Sequence, residues 1–431
     1  MAKAKSATIS KLAQAMIPRE MLTWSTAAIM LAALEGGLAG VIVKNIFAEQ
    51  ASPIWVNLAV AMVVGAPAFA NILSFVFASL GHGRDKVKIM RYSMVGASLG
   101  LLLMATAAID STGLIVFTFG LILARVFWAG VVTLRASVWR MNFSREVRGK
   151  ITSRLMTASS LVMAISSAMI GYWLNDHPLA FRWIYPLAAV VGLVIAWVYR
   201  KTRIRGGHRL RKNENQSSSE QTGGRLSAML VILRRDSAFR RYMLAMMLFG
   251  SGNLMLMAPL IVVINEHFDL PRLQQILILS SIPLLMVALS LTSWAKLIDG
   301  KHILEYRAIH SWSFVLALGS FALAAISGNP LGFWIGAVIM GIAYGGAVLG
   351  WNLGHNDYSD NTDSALYMGI HVTLTGIRGM IMPTVGVLVY QWLNSINPTL
   401  GPKALLLPFG LVVSGALLFV ILAWQHRKHQ S

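Results

Sequence analysis

The chain has 431 residues, 56% of them hydrophobic and only 13% charged, with 37 Lys and Arg against 17 Asp and Glu for a net charge of +20. Soluble domains carry about 25% charged residues, so this composition excludes one or two water-soluble domains. The chain has no cysteine, which removes disulfides, thiolate metal sites, iron–sulfur clusters and cysteine nucleophiles together.

Crossing a bilayer takes roughly 20 mostly apolar residues. Twelve stretches qualify, at 21–47, 53–80, 92–109, 112–139, 151–175, 179–200, 242–264, 273–298, 306–327, 330–352, 364–393 and 403–424. Helix is the expected form, because lipid offers no partner to backbone N–H and C=O groups and nothing here alternates as barrel strands do. Ahead of the first stretch, Lys3, Lys5, Lys11 and Arg19 surround short apolar runs, a pattern without a cleavable signal peptide. If the N-terminus is cytoplasmic, 29 of the 37 Lys and Arg fall on the cytoplasmic side and only Arg182, Arg272 and Lys403 on the other. Basic loops resist translocation, so the bias predicts both termini inside. No loop is long enough to make a folded basic domain, which argues against nucleic acid as a partner.

The segment 204–224, IRGGHRLRKNENQSSSEQTGG, has linker composition and is expected to be disordered. After it, 225–241 alternates apolar and basic residues at helical spacing, as an amphipathic helix on the cytoplasmic membrane surface would. The chain thus divides into a six-helix bundle at 1–203, a cytoplasmic linker at 204–241 and a second six-helix bundle at 242–431. The halves echo each other. Tyr172-Trp173-Leu174-Asn175 ends the fifth stretch as Gln391-Trp392-Leu393-Asn394 ends the eleventh, Gly120 and Gly130 are spaced like Gly336 and Gly346, and Arg91 opens the third stretch much as Arg307 opens the ninth. Equal halves, a basic linker and these matches predict parallel pseudo-repeats, an arrangement typical of transporters.

These features resemble the major facilitator superfamily over nearly the whole chain. Its signature after helix 2 survives in Gly83-Arg84-Asp85-Lys86, and the counterpart after helix 8, Trp294 to Lys301, keeps Asp299 and the leucine before it. Arg125 and Gly130 look like a loosened form of the helix 4 signature, and Glu146-Val147-Arg148-Gly149-Lys150 is similar to the usual helix 4 to 5 turn. The resemblance implies a twelve-helix all-α membrane protein that works by alternating access, with Asp299 at a gate. The Gly-Pro signature of family antiporters is absent from helix 5, where Ala164 to Gly171 stand instead.

A charge at mid-bilayer costs at least about 2.5 kcal/mol, so each such residue is a candidate site. Glu35, within Leu34-Glu35-Gly36-Gly37, is the one acid in a predicted helix centre. Either it binds and releases a proton or it forms a static pair with Arg125 of helix 4. Arg378 and His371 lie seven residues apart in helix 11 and share a face, among Gly376, Gly379, Pro383 and Gly386. Arg378 suits a forked bond to a carboxylate or phosphate and His371 can titrate near neutral pH, or the pair only packs helices. Asn253, Tyr344, Trp351 and Asn352 are candidate polar and aromatic cavity groups. Lys44 ends helix 1 and is expected to snorkel to water.

The connection after helix 10 holds Asp357, Asp360 and Asp363 and no Lys or Arg, whereas its repeat partner holds Arg140, Arg145, Arg148 and Lys150. Asp357 and Arg148 are therefore candidate gate charges that meet at the cytoplasmic face, the alternative being helix caps. His355, Asp357 and Asp360 match no established metal spacing. No GxSxG, Walker A, HExxH or GxGxxG is present, so the expectation is no enzyme, no metal and no cofactor. The reading is a secondary transporter, expected as a monomer in a bacterial inner membrane, moving a small anionic or amphiphilic organic solute coupled to protons. The alternatives are a proton-antiport efflux pump and a non-transporting receptor or assembly protein of the same fold.

Overall fold

The computed structural model describes residues 11–216, 224–359 and 364–428, and all regular structure among them is helical. Twelve helical spans are long and apolar enough to cross a membrane: Met16–Ile46, Pro53–Gly81, Lys86–Ala105, Ser111–Asn142, Ile151–Asp176 and Pro178–Tyr199, then Ser237–His267, Arg272–Ile298, Ile303–Ser327, Leu331–Leu353, Leu366–Ile396 and Pro398–Lys428. They are numbered 1 to 12 below. Large apolar side chains such as Ile115, Trp183, Leu187 and Leu323 stand exposed on the outside, as a lipid-facing surface requires.

Spans 1 to 6 and 7 to 12 pack in the same pattern. Span 3 lies against 4 and 6, span 2 against 4, and span 1 against 5 and 6; adding six to each number gives the neighbours in the second set. Small residues permit the close approaches. A Cβ on Gly100 would sit 2.7 Å from the Gly120 carbonyl oxygen, and one on Gly120 would sit 2.9 Å from that of Gly100, so spans 3 and 4 meet backbone to backbone. The two sets touch through spans 2 and 11, 5 and 8, 1 and 7, and 1 and 8.

Two spans that meet across this interface are irregular, for reasons visible in their residues. Span 1 breaks between Ala33 and Gly36, where Glu35 adopts an extended backbone (φ −63°, ψ 135°) and its carboxylate caps the second half-helix by accepting from the Leu38 N–H at 2.9 Å. A carboxylate at a helix N-terminus is favoured by both the free N–H groups and the dipole. Span 8 contains a π-helical turn at Leu277–Ser281, which ends two residues before Pro283. Proline cannot donate to the carbonyl four residues earlier, and its ring crowds that oxygen, which here belongs to Leu279. The displaced Leu279 carbonyl faces Gly37, whose Cβ would lie 2.7 Å away.

The connection between spans 6 and 7 differs from its expectation. Instead of a disordered 204–224, residues Gly207–Gln216 form a helix that docks on the turn after span 2, where Glu214 accepts from Lys86 Nζ at 2.7 Å and from the Gly83 N–H at 2.9 Å. The expected amphipathic helix runs only over Gly224–Arg235, because Asp236 starts a new helix by capping Phe239 N–H at 2.9 Å. Residues 217–223 lie outside the described residues.

Two outcomes follow from this packing. Gly37→Ala is expected to cost about 1–3 kcal/mol by overpacking the contact between spans 1 and 8, read as a lower thermal midpoint. Gly410→Ala, at a position with nothing within 4 Å, is expected to leave that midpoint unchanged or raise it. Burial opposes ionisation of the Glu214 carboxyl, but hydrogen bonds from Lys86 and Gly83 and the nearby positive charge hold it below the usual carboxylate range. A depressed folded-state value stabilises above the unfolded value and is lost as the pH falls through the folded one. Protection factors for amide exchange over 207–216, taken relative to the intrinsic rate at each pH, are therefore expected to be high at neutral pH and to fall in acid.

Candidate functional site

Glu35 sits where the two halves meet. Its carboxylate accepts from the Ser280 hydroxyl in the π turn of span 8, so one oxygen serves both its own half-helix and the opposite half of the molecule. Arg125 of span 4 does not pair with it directly. The guanidinium donates to the Leu34 carbonyl, one of the groups freed by the break in span 1, while remaining within electrostatic range of Glu35. Tyr344 of span 10 also lies within range of Glu35, with its ring packed edge-on against Phe314 at 5.6 Å. Glu35, Arg125, Ser280 and Tyr344 thus form one neighbourhood, assembled from both halves.

A second cluster lies within spans 7 to 12. Arg378 is buried and donates to the Met246 carbonyl, to Thr375 Oγ1 at 2.9 Å and to the Leu374 carbonyl at 3.2 Å, which joins spans 7 and 11. Arg307 of span 9 is equally buried, its guanidinium seated against Gly350 and 3.4 Å from His310 Nδ1. The sequence reading placed Arg307 at the opening of the ninth stretch; the helix begins at Ile303, about one turn earlier than expected, and carries it inside. Among the described residues neither arginine has a carboxylate at ion-pair distance. His371 is buried beside Trp351, ring centroids 5.6 Å apart, and its Nε2 has no hydrogen-bond partner; the same holds for Arg307 Nε and Asn253 Oδ1.

Other candidates are scattered. Asn352 is exposed and its amide bonds back to the Val348 carbonyl at 2.6 Å. Asp299 is exposed at the turn between spans 8 and 9. Asp357 accepts from the Ile303 N–H at 2.6 Å and so caps span 9 within its own half. The Arg148 side chain and residues 360–363, with the Asp360 and Asp363 invoked for the acidic loop, lie outside the described residues.

Three groups were missed or misread from sequence. Lys44 does not snorkel. It is buried, donates to Asn57 Oδ1 at 2.7 Å, and forms an ion pair with Glu266 at the end of span 7, which in turn accepts from Tyr390 at 2.6 Å. Glu266 lay two residues beyond the predicted end of helix 7, so it was read as loop. Glu20 is a second acid inside span 1, fully buried, accepting from Trp24 at 2.6 Å, Trp139 at 2.9 Å and Tyr199 at 3.2 Å, with Arg135 stacked 4.5 Å over the Trp24 ring. It was hidden because the first span starts earlier than its apolar run suggests.

The cross-half polar contacts at the end distant from the termini are dense. Besides Lys44 and Glu266 they include Asn45 with Gln275 at 3.2 Å and Arg272 with the Asn175 carbonyl at 3.2 Å. These contacts tie the two halves together at that end.

Twelve spans in two equivalent sets of six, meeting around a broken helix and a π turn, define a helical membrane protein of paired bundles. The pattern of the Major Facilitator Superfamily matches residues 25–383, and the chain belongs to that family. In sequence, no curated protein matches this chain. In structure it is similar to a mutant form of the nucleoside transporter NupG (TM-score 0.71, 11% identity, 94% of this chain and 99% of that one). It is also similar to the xylose transporter XylE from E. coli (TM-score 0.66, 12% identity, 94% and 97%) and to the peptide transporter POT in complex with sulfate (TM-score 0.66, 12% identity, 95% and 94%).

The pair at the distant end generates a prediction that the cysteine-free chain makes easy to check. With Gln275→Cys as the only thiol, at a position 3% exposed, labelling by a membrane-impermeant maleimide is expected to be slow. Adding Lys44→Ala leaves Glu266 without its cation and is expected to speed labelling about tenfold, the equivalent of about 1.4 kcal/mol. An unchanged rate would show that the ion pair does not hold this end shut.

Proposed function

We propose that the protein is a secondary transporter that carries a small anionic or amphiphilic organic solute by alternating access, coupled to protons. The observation that carries the substrate class is the set of buried arginines Arg307 and Arg378, with no carboxylate at ion-pair distance among the described residues. Isolated buried charge is costly, and a carboxylate or phosphate on the solute, held by forked hydrogen bonds, relieves that cost. Arg125, with its electrostatic link to Glu35, extends the same field to the interface between halves.

In this reading the bundles 1–203 and 242–431 rock about the interface, tied by the connection at 204–241. Glu35 carries the coupling proton. When ionised it holds both the Leu38 N–H and Ser280; protonation weakens its acceptor strength and loosens span 1 from span 8, so that the cross-half contact follows the proton. His371, with its open Nε2, is the second proton group. Asn253, Tyr344, Trp351 and Asn352 orient the solute, and Asp299, Asp357 and Arg148 belong to the gate near the termini. Both termini face the cytoplasm of a bacterial inner membrane, where the basic connections favour that side. The contacts of Lys44, Asn45 and Arg272 then seal the outer end, and the described conformation faces inward. The protein acts as a monomer and as a carrier, not an enzyme.

Proteoliposomes with an imposed pH gradient test this directly, using a panel of small organic anions and cations. The expected result is gradient-driven flux of an anion, lost in Glu35→Gln while solute exchange without a gradient persists. Arg378→Lys keeps the charge but loses the fork, and is expected to raise KM about tenfold with the thermal midpoint as a folding control. Unchanged transport in Glu35→Gln and Arg378→Lys, or flux confined to cations, would overturn the assignment.

A further inference from the structure

The face that carries the termini has a built cleft that the transport reading leaves unused. It is about 390 Å³ in volume and lies between the turn after span 2, the start of span 3, the end of span 6 and the docked helix Gly207–Gln216. Arg84, Lys88, Arg91, Arg200, Arg203 and Arg211 line it. Among the described residues none of these six has a carboxylate at ion-pair distance. The nearby acids are already engaged: Asp85 caps span 3 by accepting from the Val87 and Lys88 N–H groups at 3.0 and 3.2 Å, and Glu214 is held by Lys86.

Topogenic charge explains why these residues are basic, but not why they converge. A positive-inside bias needs only a count of Lys and Arg near the membrane. Here the side chains are brought together from three separate parts of the chain, against their mutual repulsion, and two of them are pinned. Arg91 Nε donates to the Ala196 carbonyl at 3.0 Å, and the Glu214 contacts hold the helix that carries Arg211. Six cations lining one cleft favour a ligand with at least one phosphate.

The source of that phosphate is indicated by the next surface along. The same turn of chain, 197–203, also borders a groove of about 290 Å³ lined by Pro18, Leu22, Trp197 and Val198 and flanked by Arg19 and Lys201. Leu22 is 62% and Trp197 55% exposed, and the Arg200 guanidinium lies 4.6 Å over the Trp197 ring. Exposed apolar side chains next to an amphipathic tryptophan and a row of cations describe the border between acyl chains and headgroups. A soluble anion would have no use for the groove.

We infer that this cleft binds the phosphate headgroup of an anionic phospholipid, with the lipid's acyl chains along the groove beside Leu22 and Trp197. The bound lipid would bridge span 3, span 6 and the docked helix, linking the bundle 1–203 to the inter-bundle connection. The site depends on basic pockets of this kind being headgroup receptors at the cytoplasmic border, and does not depend on which solute is carried.

The test uses the full chain purified in detergent and titrated with phosphatidylglycerol, with phosphatidylcholine and inorganic phosphate as separate arms, read by native mass spectrometry and by Trp fluorescence. Phosphatidylglycerol is expected to bind tightly and in a salt-sensitive way, phosphatidylcholine weakly, and inorganic phosphate at millimolar levels is expected not to displace the lipid. The triple variant Arg84→Gln, Arg203→Gln, Arg211→Gln is expected to lose about a hundredfold in affinity, each cation near the headgroup being worth about a fivefold factor. A control removing three exposed cations elsewhere on the same face, Arg234→Gln, Arg235→Gln and Arg241→Gln, is expected to retain binding. Equal losses in the two variants would reduce the effect to general surface charge and overturn the site. Displacement by inorganic phosphate would overturn the lipid as its occupant.

Discussion

One carboxylate oxygen joins a broken helix in the first bundle to a π turn in the second. Glu35 caps the half-helix beginning at Gly36 and accepts from Ser280 across the interface. Lipid supplies no partner for free backbone groups, so a break in a spanning helix survives only where other groups satisfy it. Glu35 does so for the Leu38 N–H of the second half-helix and Arg125 for the Leu34 carbonyl. On the facing span, Pro283 displaces the Leu279 carbonyl and opens the π turn that brings Ser280 forward. The irregular pieces are mutually dependent: Gly37 must stay small because the Leu279 carbonyl occupies the space a side chain would need.

The rest of the interface is arranged around this point. Midway along their length, spans 2 and 11 pack on each other through Gly65, Ala68, Gly376 and Gly379, a seam of small residues. Away from the termini the contacts turn polar, with Lys44, Asn57, Glu266 and Tyr390 in one network. Apolar small-residue seams allow sliding at low cost, whereas buried ion pairs have to be broken as a unit. A rocking motion about the centre therefore has a natural latch at the distant end and a natural pivot between Glu35 and Ser280.

Much of the fold was legible because it is written in length and apolarity. All twelve stretches appear as spans, and their order and equal division follow from the same arithmetic. The errors concentrate at span ends, where hydropathy is a poor guide: Glu20 and Glu266 lie just outside a predicted stretch and Arg307 at the edge of one, yet all three are inside the observed helices. For Glu20 and Glu266 the helix continues past its apolar run because buried partners compensate the carboxylate; Arg307 is carried inside without such a partner among the described residues. The site was half legible. Glu35 and Arg378 stood out as intramembrane charges, but their partners, a serine hydroxyl and a backbone carbonyl, carry no sequence signal. The docked helix Gly207–Gln216 was missed for a related reason: its stability rests on Glu214 meeting Lys86, a contact between residues 128 apart in the chain.

The central claim is that the bundles move as units about the Glu35 contact, opening one end as the other closes. Pulsed electron paramagnetic resonance on the cysteine-free chain tests it most directly, with spin labels at Asp176→Cys and Asp269→Cys for the distant end and at Ser79→Cys and Lys301→Cys for the end near the termini. Substituting Glu266→Gln in each labelled pair is expected to lengthen the first distance and shorten the second. An unchanged distant end, or both distances moving in the same direction, would contradict the account.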